Sequence, residues 1–276
     1  MTTSLQTAAW SALDQICQTY DPAFAPEAER REIRRDNRHY AVKILKLAGN
    51  IRHKKILFLG MGQEEAACLL ARGDAAVVYG TWSEKTLFYA RKTVLADYAD
   101  VLDRVTFQLV DPRSLRGVKG DYDCVVVMKA AKQMLPGDFA GLLSELLVMS
   151  QKAPTVIVHT SPNAALTGPA FYFAGIACGK RRWKSRTYGL NEYHYYSWKR
   201  MLEKLGRTWA IVPDKQPRFF SRQVIHQEGM SLSIVQAALL LDWILDSTPL
   251  STLSRSRFFA PLLATDLWAV IGAQQS

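Results

Sequence analysis

The sequence predicts an α/β fold: a doubly wound, mostly parallel sheet that ends in an antiparallel hairpin. Three observations predict it. From residue 54 onward, short continuous apolar runs alternate with helical stretches of 10–17 residues, the rhythm of βαβ units whose sheet is covered on both faces. A glycine turn, Gly60-Met61-Gly62, closes the first apolar run. After residue 160 the rhythm breaks, and strand-like runs at 208–212 and 219–225 are joined by Pro213-Asp214-Lys215-Gln216-Pro217. So short a link requires an antiparallel pair, because a parallel return needs a crossover.

The elements follow in order. Residues 27–47 lack Pro and Gly and carry Ile33, Tyr40, Ile44 and Leu47 at helical spacing, with Arg30, Arg31, Arg34, Arg35 and Arg38 on the other side. This is a helix with a solvated basic face. Lys55-Ile56-Leu57-Phe58-Leu59 is the first strand, and residues 64–72 the first helix of the alternating core. Strand-like 75–79, helix-like 83–99, strand-like 104–109 and the triple-valine run at 122–128 come next, then helix-like 139–150 and β-branched 155–159. Residues 197–205 read as a helix stopped by Gly206. The tail carries two apolar helical segments, 231–245 and 258–271, expected to be buried as a cap or as a homodimer face. The organisation is therefore an N-terminal helical extension (1–50), a central domain (51–226) with a variable lobe at 160–200, and a C-terminal helical extension (227–276).

Composition bounds the function. The 276 residues carry 35 Lys+Arg against 25 Asp+Glu, a formal charge of +10, with 49% hydrophobic and 22% charged residues. That balance is globular, not disordered. Cys17, Cys68, Cys124 and Cys178 are scattered with no CxxC pair, which excludes a zinc module or disulfide framework and points to a reducing compartment. No metal site is expected. The start of the chain lacks a basic segment leading into an apolar one, and the longest apolar runs fall short of the ~20 residues of a spanning helix. A soluble, cytoplasmic protein is expected, touching a membrane only peripherally.

The motifs carry a resemblance. The turn at Gly60-Met61-Gly62-Gln63, the stretch Tyr79-Gly80-Thr81-Trp82-Ser83 leading to Leu87 and Ala90-Arg91, the run Gln108-Leu109-Val110-Asp111-Pro112, the strand Asp121-Tyr122-Asp123-Cys124 and the helix starting Tyr196-Ser197 stand in the order and spacing of one family. Together they resemble the class I S-adenosylmethionine-dependent methyltransferases over residues 50–226, with their Rossmann-like seven-stranded sheet. The resemblance implies S-adenosyl-L-methionine as cofactor, held around Gly60, Gly62, Gln63, Thr81, Trp82 and Asp111. It also marks departures. Phe58 stands where the family has an acid, Thr81 where it has the ribose-binding acid, and Glu64 where it has a third glycine.

The chemistry that this implies is methyl transfer to a small aromatic, lipidic or anionic metabolite, with His159 and His194 as candidate bases. His159 ends the fifth strand, where ligands bind in doubly wound sheets, and Lys129 ends the fourth. Asn191-Glu192-Tyr193-His194-Tyr195-Tyr196 would wall the acceptor pocket. A non-catalytic scaffold and an aminobutyryl-type transferase using the same cofactor are the alternatives. The charge excess concentrates on the N-terminal helix and on residues 180–186, five of which are basic around Trp183. That placement favours an anionic metabolite or membrane surface over nucleic acid as partner.

Overall fold

The computed structural model describes residues 27–111, 115, 118, 120–130, 136–149, 155–160, 195–204, 206–214 and 266–272, with isolated helical positions at 233, 236, 237, 239, 240 and 243. Helix α1 (Glu27–Ala48) precedes β1 (Lys55–Leu59), α2 (Glu64–Arg72), β2 (Ala76–Thr81), α3 (Glu84–Asp97) and β3 (Val105–Leu109). Then come β4 (Cys124–Met128), α4 (Pro136–Met149), β5 (Thr155–Thr160), α5 (Tyr195–Glu203), β6 (Trp209–Asp214) and β7 (Asp266–Ile271). The seven strands form one sheet in the order β3-β2-β1-β4-β5-β7-β6. β1 runs parallel to β2 and β4, whereas β7 is antiparallel to both β5 and β6.

Strand parity explains why the apolar runs are continuous. On one face Ile56, Phe58, Tyr79, Val126, Ile157 and Trp268 pack under α1 and α2. On the other Leu57, Leu59, Val125, Val127, Val158 and Ala269 meet Phe139 and Leu142 of α4 and Leu202 of α5. A strand buried on both faces has no polar positions to alternate. The sequence begins the third helix with Ser83, whose Oγ accepts from the Thr86 amide at 3.3 Å, the usual N-cap bond. Cys68 and Cys124 are free and buried, and burial pushes both thiols up to about 12. They behave as small hydrophobes.

Two expectations for the tail are corrected. The antiparallel pair is present, and β6 falls where residues 208–212 predicted it, but its neighbour is Asp266–Ile271, which had read as the end of a helix. Leu267-Trp268-Ala269-Val270-Ile271 is apolar throughout, and periodicity cannot separate such a run from a buried helix. The sheet thus takes its seventh strand from the segment assigned to a C-terminal helical extension. Residues 219–225 lie outside the described residues. Within the single chain, Leu239, Leu240 and Trp243 of the 231–245 segment are 47%, 56% and 62% exposed.

Helix α1 is fastened at two places, to the neighbouring helices and to the last edge strand. Near its start, Arg34 reaches Asp97 at 2.6 Å and Glu65 at 3.4 Å. Further along, His39 and Lys43 both meet Asp214 on β6, at 3.0 and 3.3 Å. The hydrogen bond to Asp214 raises the His39 imidazole. Burial alone would push the Asp214 carboxyl up as well, but the bond from His39 and the charge of Lys43 outweigh it and hold the carboxyl below its usual range. Between these clamps, Tyr40 packs at 5.0 Å from His159 and 6.0 Å from Trp268. His159 Nε2 lies 2.6 Å from Asp266 Oδ1, with both side chains buried. Truncation by His159→Ala removes that bond from a buried carboxyl and opens a cavity beneath Tyr40. Urea unfolding should show a loss of about 3–5 kcal/mol, whereas Lys199→Ala, at the exposed end of a pair with Glu203, should change stability by less than about 0.5 kcal/mol.

Candidate functional site

The carboxyl ends of β1, β2 and β4 converge on the glycine turn. Gly60 continues the ladder, its amide donating to the Gly80 carbonyl at 3.1 Å. A Cβ on Gly60 would lie 2.8 Å from Gln63 Oε1 and 3.1 Å from Met128 Cβ, and one on Gly80 would lie 2.7 Å from Leu59 and 2.8 Å from Val110. Both positions therefore require glycine for close packing. Gly62 differs. It is left-handed, with φ +76, and a Cβ there would meet open space. Its carbonyl accepts a long bond, 3.5 Å, from Asn37 Nδ2 of α1. The turn is thus closed on its strand side and open above Gly62.

Near this turn and along the ends of β2 and β3 lie buried polar atoms that have no hydrogen-bond partner among the described residues: Gln63 Oε1, Glu64 Oε2, Thr81 Oγ1, Trp82 Nε1 and Gln108 Nε2. Leaving a buried polar group unpaired costs about 1–3 kcal/mol, and native folds keep such groups few. Several of them lie at the carboxyl ends of neighbouring parallel strands, the edge at which doubly wound sheets bind ligands. Thr81 is fully buried, its carbonyl holding the Val110 amide at 2.9 Å. Trp82, half-buried, leans on the core of the α4 face. Gln63 caps α2 through its backbone carbonyl, which accepts from the Ala66 and Ala67 amides.

The two departures at β1 and α2 prove to be spatially linked. Phe58 is directed into the core and stacks on Tyr79, centroids 5.7 Å apart. Glu64, in the first turn of α2, is buried close enough to Tyr79 to act on its hydroxyl. Burial pushes Glu64 up to about 7, with the nearby Glu65 charge adding to the shift. Tyr79 is raised in turn, by burial first and then by Glu64. The signal was present in the sequence: Glu64, Ala67, Cys68 and Ala71 recur at the spacing of one helix face, and all four are buried.

The remaining expected site residues are distributed as follows. Asp111 stands exposed just past β3, its carbonyl accepting from the Leu115 amide at 2.9 Å. His159 ends β5 as expected, yet its ring is fully buried against Tyr40, Trp268 and Asp266. His194, residues 180–186 and most of the 160–200 lobe lie outside the described residues. Among the described residues, no group of three His, Cys, Asp or Glu side chains is placed to hold a metal, and no helix is long and apolar enough to cross a membrane. Sequence reasoning missed Asn37 and Tyr40, which reach the site from α1; only the docking of that helix reveals them.

No family model and no curated protein matches the sequence. Solved structures do match. Magnesium protoporphyrin IX methyltransferase from Synechocystis PCC 6803, with bound SAH, is 16% identical, with 75% of this chain and 86% of that one covered at a TM-score of 0.52. A SAM dependent methyltransferase from Archaeoglobus fulgidus is 11% identical over 85% of this chain and 93% of that one, at 0.52. The [4+2]-cyclase SpnF is 16% identical over 84% and 78%, at 0.53. The chain has the fold of the class I S-adenosylmethionine-dependent methyltransferases.

Glu64 gives this site a pH signature. A carboxyl whose folded value lies above its ordinary 4.5 favours folding when protonated, so its contribution is lost as pH rises from about 4.5 to about 7 and stays flat above that. The difference in unfolding free energy between wild type and Glu64→Gln should therefore grow in favour of the variant across that window. A shift to about 7 corresponds to a difference on the order of 3 kcal/mol, read from denaturant curves at pH 4.5, 6 and 8.

Proposed function

We propose that this protein is an S-adenosylmethionine-dependent methyltransferase acting on a small aromatic, lipidic or anionic acceptor. The observation that carries this reading is the set of polar atoms, unpartnered among the described residues, near a glycine turn at the carboxyl ends of β1, β2 and β3. They fit the cofactor by chemistry. Thr81 Oγ1 offers one hydroxyl to a ribose, Trp82 a ring face and an indole N–H to the adenine end, and Gly62 an unobstructed approach for the amino-acid end. Asp111, at the rim, is the remaining contact that the resemblance implies.

When bound, S-adenosylmethionine supplies a methyl group made electrophilic by its sulfonium. What this chain contributes is orientation and exclusion of water. Helix α1 borders one side of the turn, with Asn37 on the Gly62 carbonyl and Tyr40 over His159. His159, locked to Asp266, acts as a positioning residue that holds Tyr40 and the end of β5. His194 and the 160–200 lobe are proposed as the acceptor side. The exposed Leu239, Leu240 and Trp243 support a homodimer face or a membrane-facing edge in the tail.

A second reading is favoured by one observation: both acids expected at the cofactor site have been replaced, by Phe58 and Thr81. A protein with these changes could bind a ligand on the methyltransferase fold without transferring a methyl group.

Calorimetric titration with S-adenosylmethionine and with its demethylated product separates the two readings. Either ligand should bind with a Kd below about 1 mM, equivalent to about 4 kcal/mol. Trp82→Ala and Thr81→Val should each weaken it by roughly 5- to 100-fold, the range for a lost stacking or hydroxyl contact. Absence of binding by both ligands would sink the methyltransferase reading, and unchanged affinity in both variants would move the cofactor away from β2.

A further inference from the structure

Lys129, a half-buried cation whose backbone starts beside the glycine turn, has no carboxylate paired with it among the described residues. Lys129 directly follows β4, where its amide donates to the His159 carbonyl at 3.0 Å. Its backbone is left-handed, with φ 58, a conformation that costs an L-residue about 1–2 kcal/mol. Strain of that kind persists where the surroundings over-determine it and tends to cluster at functional sites. The Met128 carbonyl lies 3.4 Å from where a Gly60 Cβ would stand, so Lys129 begins at the inner wall of the turn.

The direction of the side chain is fixed. Lys129 Nζ sits 5.3 Å from the centroid of Tyr40, and Tyr40 is itself held by His159 and Trp268. Other cations that fasten the described fold are neutralised: Arg34 by Asp97, Lys43 by Asp214, Arg72 by Asp100 and Arg104 by Asp74. Lys129 has no carboxylate within ion-pair distance among the described residues. An ammonium resting on an aromatic face and partly withdrawn from water gains more from an anion than one in full solvent does.

We propose that Lys129 anchors an oxyanion subsite at the end of β4, beside the glycine turn, which takes the carboxylate or phosphate group of the acceptor. The proposal rests on the reading of this cleft as the acceptor-facing end of a methyltransferase site, and it narrows that acceptor to an anion. Tyr40 sets the place of the ammonium, and the Lys129 backbone sets its distance from the turn. A neutral aromatic acceptor would leave the ammonium uncompensated.

The test uses the full-length protein, unloaded and saturated with S-adenosylhomocysteine, titrated with benzoate, phenyl phosphate and neutral benzamide. At least one anion should bind about tenfold more tightly than benzamide, the worth of one ion pair in a partly desolvated site. The phosphate and carboxylate arms tell which oxyanion the subsite prefers. Lys129→Met should abolish the preference while leaving benzamide and S-adenosylhomocysteine affinity unchanged, and Lys129→Arg should retain most of it. Raising the salt tenfold should shrink the preference in wild type alone. An anion bound no more tightly than benzamide, or a preference that survives Lys129→Met, overturns the proposal. Should S-adenosylhomocysteine fail to bind, the methyltransferase reading falls, and the titrations of unloaded protein still decide the role of Lys129.

Discussion

Two carboxylates face each other at the end of the antiparallel strand pair, Asp214 on β6 opposite Asp266 on β7, and the fold depends on how their repulsion is resolved. Like charges directly opposed across a sheet are destabilising. Each is met by an imidazole from a different element, Asp214 by His39 of α1 and Asp266 by His159 of β5. The conflict thereby becomes a fastening. It ties the N-terminal helix, the parallel half of the sheet and its last two strands at one place, and Tyr40 fills the space between. Because α1 is fixed there, Asn37 falls on the Gly62 carbonyl and Tyr40 beneath Lys129.

The glycine turn shows a second redistribution. A carboxyl at the end of β1 is exchanged for Phe58, whose ring joins Tyr79 in the core. A carboxyl returns in the first turn of α2 as Glu64, pointing into the same layer. The two changes compensate in packing, since an acid beneath α2 and an acid within it would stand as like charges in a dry place. They do not leave the site as the family resemblance describes it. The polar groups that remain around the turn are mostly neutral, and the fixed positive charge comes from Lys129.

Much of this was legible in the sequence, for a physical reason. Strands β1, β4 and β5, inside the sheet, are buried on both faces and announce themselves as apolar runs, with Val125, Val126 and Val127 as the clearest case. The turn is marked by glycines that sterics demand at Gly60 and Gly80. Where the reading failed, local signal and tertiary outcome part company. Residues 266–271 are as apolar as a buried helix, and only pairing with β5 and β6 makes them a strand. His159 lies near the end of β5 on the face that α1 closes, and sequence does not say which helix covers which face. Asn37 and Tyr40 looked like ordinary positions on a basic helix for the same reason.

The buried carboxyl of Glu64 has a thermodynamic consequence for whatever enters the turn. A group that is about half protonated near neutrality is a proton reservoir coupled to its surroundings. A ligand that brings positive charge nearby draws the carboxyl toward its ionised form and expels a proton to the buffer; an anionic ligand does the reverse. Heats of binding measured at neutral pH would then contain the ionisation enthalpy of the buffer. Their variation from phosphate to Tris would count the protons exchanged and so report the sign of the charge that the turn receives.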